Sequence, residues 1–172
     1  KLGNATLKSE VEGGNKRLAQ MKVWSDAVNP AVEDLVHGVP PFPLVRDSLE
    51  KLNRPADAMC ISQTPADALK REWAEHGIDS FVKMIAGQEM GTKTEHLKFA
   101  TSGKYGPNKV LMVGDAPGDQ KAARSNNALF FPIVPGREEG SWERFFPVAL
   151  DRFFKGTYAG SYEAELVKEF DA

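Results

Sequence analysis

The chain has 172 residues, with 22 basic and 24 acidic side chains, a formal net charge of -2, and 41% hydrophobic residues. This near balance of charge gives no support for a nucleic-acid or membrane partner, and no apolar run approaches the ~20 residues that a membrane helix needs. Cys60 is the only cysteine, so no disulfide can form within the chain. We therefore expect a reducing, cytoplasmic location and a structural role for this thiol.

The first forty residues differ in pattern from the rest of the chain. Residues 1–14 are polar and contain glycine, so we expect them to be loosely ordered. A helical pattern follows, is interrupted by Pro30, and resumes as a short helix over residues 31–36. The proline-rich stretch HGVPPFP then predicts a stiff linker and a domain boundary, which separates residues 1–37 from residues 38–172.

After the linker, helical patterns alternate with short apolar runs. The runs that predict strands are DAMCIS, FVKMIAG, KVLMVG and ALFFPIV. This alternation is typical of an α/β fold, in which helices cover both faces of a parallel sheet. The tail beyond Gly136 is rich in aromatic residues. It predicts a helix laid against the sheet or, as an alternative, an aromatic binding surface.

Polar side chains follow three of the predicted strands. Ser62 and Gln63 follow the first strand, and the loop after the second strand leads to Lys93. Asp115 and Asp119 follow the third strand. In an open parallel sheet, ligands bind in the loops at the carboxyl ends of the strands. Each of these residues, taken alone, could be a helix cap or a solvated side chain. Their position at one edge of the predicted sheet favours a functional site over these structural roles.

The chemistry follows from the types of residue at this edge. Carboxylates suit Mg²⁺, which takes few protein ligands and keeps several waters. A hydroxyl and the N–H groups at helix starts suit phosphate oxygens, and an ammonium neutralises the charge of a phosphoryl group. Together these groups predict a site for phosphoryl transfer assisted by Mg²⁺.

These residues resemble three of the four motifs of the haloacid dehalogenase-like (HAD) hydrolases. Ser62 in CISQTP is similar to the motif II hydroxyl, and Lys93 in GTKTEHL is similar to the motif III lysine. Asp115 and Asp119 in VGDAPGD resemble the motif IV acids. The step of 53 positions from Ser62 to Asp115 also suits the family.

The resemblance covers roughly residues 38–135 and carries expectations about fold and activity. It implies a Rossmann-like parallel sheet, with residues 15–37 as part of a helical cap. It also implies a Mg²⁺-dependent phosphatase, a hydrolase that acts on a small phosphorylated substrate through an aspartyl-phosphate. The site residues that it implies are Ser62 and Lys93 as catalytic groups, Ser62, Gln63 and Lys93 as phosphate ligands, and Asp115 and Asp119 as ligands of Mg²⁺.

One motif of the family is absent from these residues. The family's nucleophile is the first aspartate of a DxDx[TV] motif at the end of the central strand, and no such motif precedes Ser62. In the family that strand lies between the motif II and motif IV strands, so its absence leaves a gap with unpaired backbone groups. We expect the nucleophile to lie in an N-terminal segment outside these 172 residues, so that this chain alone is inactive.

Other interpretations of the missing motif stay open. A non-catalytic HAD-like protein would bind phosphate or a partner without turnover. A different α/β fold would use Asp115 for another purpose. A phosphomutase of the same family would keep the site and return the phosphoryl group to its substrate.

Overall fold

The structure is a computed structural model that describes residues 4–35 and 37–172. The chain divides into two compact units, Lys1–Pro40 and Pro41–Ala172. The division falls inside the proline-rich stretch HGVPPFP. Within the described ranges, no helix is both long enough and apolar enough to cross a membrane.

The first unit is a pair of helices. These are α1 (Asn4–Glu12) and α2 (Ala19–Leu35), joined through a single 3₁₀ turn at Lys16–Leu18. The Oγ of Ser25 on α2 donates a hydrogen bond to the Oδ1 of Asn4 on α1, at 2.8 Å. This contact between polar side chains helps to hold the two helices side by side.

Two predictions for this unit are wrong. Residues 4–12 are helical rather than loosely ordered. Helix α2 continues through Pro30 and does not end there. A proline inside a helix removes one backbone hydrogen bond and crowds the preceding turn, so it weakens a helix without always ending it. Residues 1–3 of the predicted loose segment, and Val36 of the predicted short helix, lie outside the described residues.

The second unit alternates helices with short strands. In chain order these are α3 (Val45–Leu52), β1 (Met59–Ile61), α4 (Ala66–Glu75), β2 (Met84–Ala86), α5 (Lys93–Thr101), β3 (Leu111–Gly114), α6 (Pro117–Ser125), β4 (Leu129–Pro132), α7 (Glu138–Arg144), α8 (Leu150–Lys155) and α9 (Ser161–Phe170). The predicted mixture of helices and strands is confirmed, and each predicted strand contains an observed one.

The strands pair in parallel, but as two separate sheets. β1 pairs with β2, with Met59 opposite Met84, and β3 pairs with β4, with Leu111 opposite Leu129. No strand among the residues that the structure describes joins β1 to β3. The predicted parallel pairing is therefore confirmed, whereas one continuous sheet does not form from these residues alone.

Helices cover both faces of the β3–β4 pair. Side chains alternate along β4, so Phe131 faces one layer and Phe130 faces the other. The layer on the Phe131 side is closed by the tail of the chain, through Phe145, Ala149, Leu150, Tyr158 and Leu166. The layer on the Phe130 side is closed by α5 and α6, through Leu97, Ala122 and Ala123.

The aromatic tail forms the predicted helix against the sheet. Helices α7 and α8 are continuous through a π-helical turn at Phe145–Ala149, which contains Pro147. The wider π-helical turn accommodates a residue that has no N–H to donate. Phe145 is buried, and its ring centroid lies 4.9 Å from that of Phe131 on β4.

Side chains, rather than another strand, close the outer edge of β4. The backbone N–H of Phe130 donates to the carboxylate of Glu163 at 2.8 Å, and the hydroxyl of Tyr158 donates to the Phe130 carbonyl at 2.8 Å. Pro132, two residues further along, has no N–H to leave unpaired at this edge. Such an edge is protected against pairing with a further strand.

The buried hydroxyl of Tyr158 provides a test of this edge. We expect Tyr158→Phe to lower the free energy of unfolding by about 1–3 kcal/mol, because the buried Phe130 carbonyl loses its partner. Tyr105→Phe is the matched control. The Tyr105 hydroxyl donates to Asp57 at the surface, so we expect a change within about 0.5 kcal/mol. Urea denaturation measures both, and equal stability of the two variants would contradict the role of Tyr158.

Candidate functional site

Hydrogen bonds tie the loop after β1 to the loop after β2. The side-chain amide of Gln63 donates to the carbonyl of Gly91 at 3.2 Å. The backbone N–H of Gln88 donates to the carbonyl of Thr64 at 3.1 Å. The two loops therefore leave the carboxyl ends of their strands side by side.

An ion pair ties the loop after β2 to the loop after β3. Lys93 is the first residue of α5, and its Nζ lies 2.5 Å from the Oδ1 of Asp119 on α6. The Asp119 side chain is only 3% exposed, and its Oδ2 accepts a hydrogen bond from the backbone N–H of Ala116 at 3.2 Å. Because a buried charge without a partner is costly, this pair constrains the distance between α5 and α6.

Local sequence fixes both ends of this ion pair. Thr92 caps α5, since its hydroxyl accepts from the backbone N–H of Glu95 while the Glu95 carboxylate accepts from the N–H of Thr92. This capping box sets the start of the helix at Lys93. At the other end, a Cβ atom built on Gly114 would lie 2.5 Å from the side chain of Asp119. Glycine at the end of β3 is therefore what allows the carboxylate to sit there.

A second glycine has a comparable role at the end of β2. A Cβ atom built on Gly87 would lie 2.4 Å from the backbone nitrogen of Ala66 in α4. Sequence reasoning assigned no role to Gly87 or to Gly114. The signal that could have found them is a glycine that directly follows an apolar run, where the backbone approaches a helix start closely.

The predicted site residues differ in their surroundings. The Ser62 side chain is half-buried, and its Oγ accepts a hydrogen bond from the backbone N–H of Thr64 at 3.1 Å. Gln63 and Asp115 are exposed. Lys93 and Asp119 are in direct contact, and Asp115 lies on the same short loop as the start of α6. The loop contacts thus gather these residues along one edge of the two sheets.

The two predicted Mg²⁺ ligands differ in how far their carboxylates are free to bind an ion. Asp115 offers an exposed carboxylate, whereas both oxygens of Asp119 already have partners on Lys93 and Ala116. Over residues 4–35 and 37–172, the structure contains no group of three or more His, Cys, Asp or Glu side chains placed to hold a metal ion. The Mg²⁺ site at Asp115 therefore stays a prediction, as does direct ligation by Asp119.

Cys60 and His96 lie beneath this edge. Burial raises the pKa of the Cys60 thiol to about 11, and the Lys93 ammonium acts in the opposite direction. This raised pKa agrees with a structural thiol. His96 is buried one turn after Lys93 on α5, and neither ring nitrogen has a hydrogen-bond partner among the described groups. Spacing in the sequence gave no metal-binding role to this histidine, and its described surroundings supply none.

Replacing Gly114 tests whether the close approach to Asp119 is needed. We expect Gly114→Ala to lower the free energy of unfolding by about 1–3 kcal/mol, because the added methyl group overlaps a buried charged side chain. Gly118→Ala in the first turn of α6 is the control, since its Cβ would meet nothing within 4 Å. Urea denaturation measures both variants, and a neutral Gly114→Ala would show that Asp119 moves freely.

The pKa of Cys60 predicts slow alkylation. The thiolate is the reactive form, so at about pH 8 we expect iodoacetamide to react far more slowly with the folded chain than with the urea-unfolded chain. The rate should rise as the pH approaches the raised pKa of about 11. Mass spectrometry follows the single adduct, and equal rates in folded and unfolded chains would contradict the burial of this thiol.

Comparison of the chain with protein-family models, with curated proteins and with solved structures gives no significant match.

Proposed function

We propose that these 172 residues form most of a Mg²⁺-dependent, HAD-like phosphatase that hydrolyses a small phosphorylated molecule. The observation that carries the proposal is the buried ion pair of Lys93 and Asp119 at the carboxyl end of β3, next to the exposed Asp115. A cation, a free carboxylate and a hydroxyl at adjoining strand ends are suited to a phosphoryl group and its metal ion.

In this proposal the residues of the first two loops bind the phosphoryl group. Ser62 and Gln63 donate hydrogen bonds to the phosphoryl oxygens. The Ser62 hydroxyl is available as a donor, because in the loop it only accepts a hydrogen bond from the Thr64 N–H. Lys93 supplies the positive charge that stabilises the developing negative charge in the transition state. Asp119 holds the Lys93 ammonium in place, which limits the reorganisation needed when substrate binds.

The third loop supplies the metal site in the same proposal. Asp115 would hold Mg²⁺ together with water molecules, and Asp119 would orient one of those waters or bind the ion directly. When bound, Mg²⁺ supplies charge neutralisation for the phosphoryl oxygens. Two acids four positions apart are tolerated at this edge because Lys93 and a divalent cation balance them.

The unpaired inner edges of β1 and β3 support a nucleophile that comes from another segment. Along a parallel strand, N–H and C=O groups alternate in direction, so those of Ile61 point away from β2 and those of Val113 point away from β4. Ile61 also packs against the apolar cluster that contains Met112 of β3, so β1 and β3 border the same cluster. We propose that a further strand completes a Rossmann-like sheet here.

An aspartate at the end of that strand would then lie near Lys93 and Asp115. In the proposed reaction its carboxylate oxygen forms a bond to phosphorus while the bond from phosphorus to the ester oxygen breaks. A second acid gives a proton to the departing alkoxide, and water then hydrolyses the aspartyl-phosphate to release orthophosphate.

Replacing Asp115 tests the metal site without any need for turnover. We expect titration of the 172-residue chain with MgCl₂ to shift the NMR signals of residues 114–119, and Asp115→Ala to weaken that binding at least about tenfold because the free carboxylate is lost. Asp79→Ala is the matched control, since this exposed acid precedes β2 and belongs to the opposite edge. Equal Mg²⁺ binding by the Asp115→Ala chain would remove Asp115 from the proposal.

A hydrolysis assay separates the catalytic from the non-catalytic interpretation. We expect the 172-residue chain to release no nitrophenol from p-nitrophenyl phosphate with Mg²⁺. A longer product of the same gene that carries the missing motif should hydrolyse it, and Asp115→Ala in that product should abolish the activity. Hydrolysis by the 172-residue chain would place the nucleophile inside it. Binding of Mg²⁺ and phosphate without turnover in the longer product would favour a non-catalytic binding protein.

A further inference from the structure

A small cavity lies at the carboxyl end of β4, between α7 and α9. Its volume is about 150 Å³, which is the size of a cavity that holds a benzene ring. Pro132, which lines the cavity, is paired with Gly114 at the end of β3, so the cavity belongs to the strand ends where open parallel sheets bind ligands. We call this space the β4 cavity.

The floor of the β4 cavity is apolar and rigid. Phe131 and Leu166 line it, and both are buried members of the core around β4. Gly140 of α7 leaves the space above this floor open, since a Cβ atom built there would meet nothing within 4 Å. An apolar body of a ligand would therefore find a preformed surface, which is the usual form of a small-molecule site.

The backbone of Arg137 is held at the side of the cavity. Its N–H donates to the Val134 carbonyl at 2.9 Å, and its carbonyl accepts from the Ser141 hydroxyl at 2.9 Å. The same hydroxyl accepts from the Val134 N–H at 3.0 Å, and Ser141 is buried. Arg137 therefore leaves a fixed point of the backbone, which lowers the entropy that its guanidinium loses when it binds a ligand.

The charges that line the cavity do not balance. The Nη1 of Arg144 donates to the Oε2 of Glu169 at 2.8 Å, so these two charges compensate one another. The Arg137 guanidinium has no ion pair or hydrogen bond to any residue that the structure describes. One positive charge is therefore free beside an apolar floor. A guanidinium binds a carboxylate through two parallel hydrogen bonds.

We propose that the β4 cavity binds a small carboxylic acid with an apolar body, whose carboxylate pairs with Arg137. The body lies on Phe131 and Leu166, in the space that Gly140 leaves open. The volume limits this body to about the size of one ring. The proposal does not depend on the proposed phosphatase function, because none of these residues belongs to that site.

Benzoate and benzamide form a matched pair of probes, since they have the same shape and differ in charge. We expect benzoate to shift the NMR signals of residues 134–141 in the 172-residue chain, with a Kd of about 1 mM or tighter for a ligand of this size. Benzamide should bind at least about tenfold more weakly, because it lacks the charge that Arg137 recognises. Arg137→Gln should weaken benzoate binding by a similar factor and leave benzamide binding unchanged.

Arg54→Gln is the matched control, because Arg54 is an exposed arginine that does not line the cavity. Gly140→Leu should fill the cavity and abolish binding of both probes, and urea denaturation checks that this variant folds. No saturable binding of benzoate, or equal binding of benzoate and benzamide, would overturn the proposal. Benzoate binding that survives Arg137→Gln, or that Arg54→Gln weakens as much, would overturn it as well.

Discussion

The organisation of the second unit depends on one buried ion pair. Asp119 is almost inaccessible to water, and its charge is compensated by the Lys93 ammonium and by a backbone N–H. Since an unpaired carboxylate at this depth would be costly, α5 and α6 are constrained to begin next to one another. The same contact brings the loop after β2 to the loop after β3. Gly114 makes this geometry possible, because a side chain there would overlap Asp119. The Lys93 ammonium is therefore held in place before any ligand binds at this edge.

The strand edges in this unit are of two kinds, which differ in whether side chains satisfy their backbone N–H and C=O groups. At the outer edge of β4, Glu163 and Tyr158 satisfy the backbone groups of Phe130, and Pro132 offers no donor. The inner edges of β1 and β3 have no comparable protection among the described residues. Pairs of short strands are marginal by themselves, so the β1–β2 pair depends on the helices packed against it. Solvent and helices cover the protected edge, whereas the further strand that we propose would pair with the open ones.

The first unit has less apolar packing than the second unit. Two helices in contact bury little apolar surface, and α1 contains no buried residue at all. Most of the stability of helices in proteins comes from packing of an apolar face. A hydrogen bond between the polar side chains of Ser25 and Asn4 links α2 to α1. The second unit, by contrast, has a core of its own around β4.

By itself, the sequence determined the alternation of helices and strands, their approximate bounds and the loops that carry polar side chains. These features follow from periodicity and from glycine and proline signals, which act over a few residues, so Ser62, Lys93 and Asp115 could be identified without coordinates. The tertiary structure alone decided that Lys93 pairs with Asp119, that no described strand joins β1 to β3, and that α2 passes through Pro30. The ion pair and the strand pairing depend on contacts between residues that are far apart in the sequence. The course of α2 depends on whether the rest of the helix outweighs the local cost of a proline inside it. Local pattern carries no information about such contacts, because it specifies which surface a segment presents but not which partner covers it.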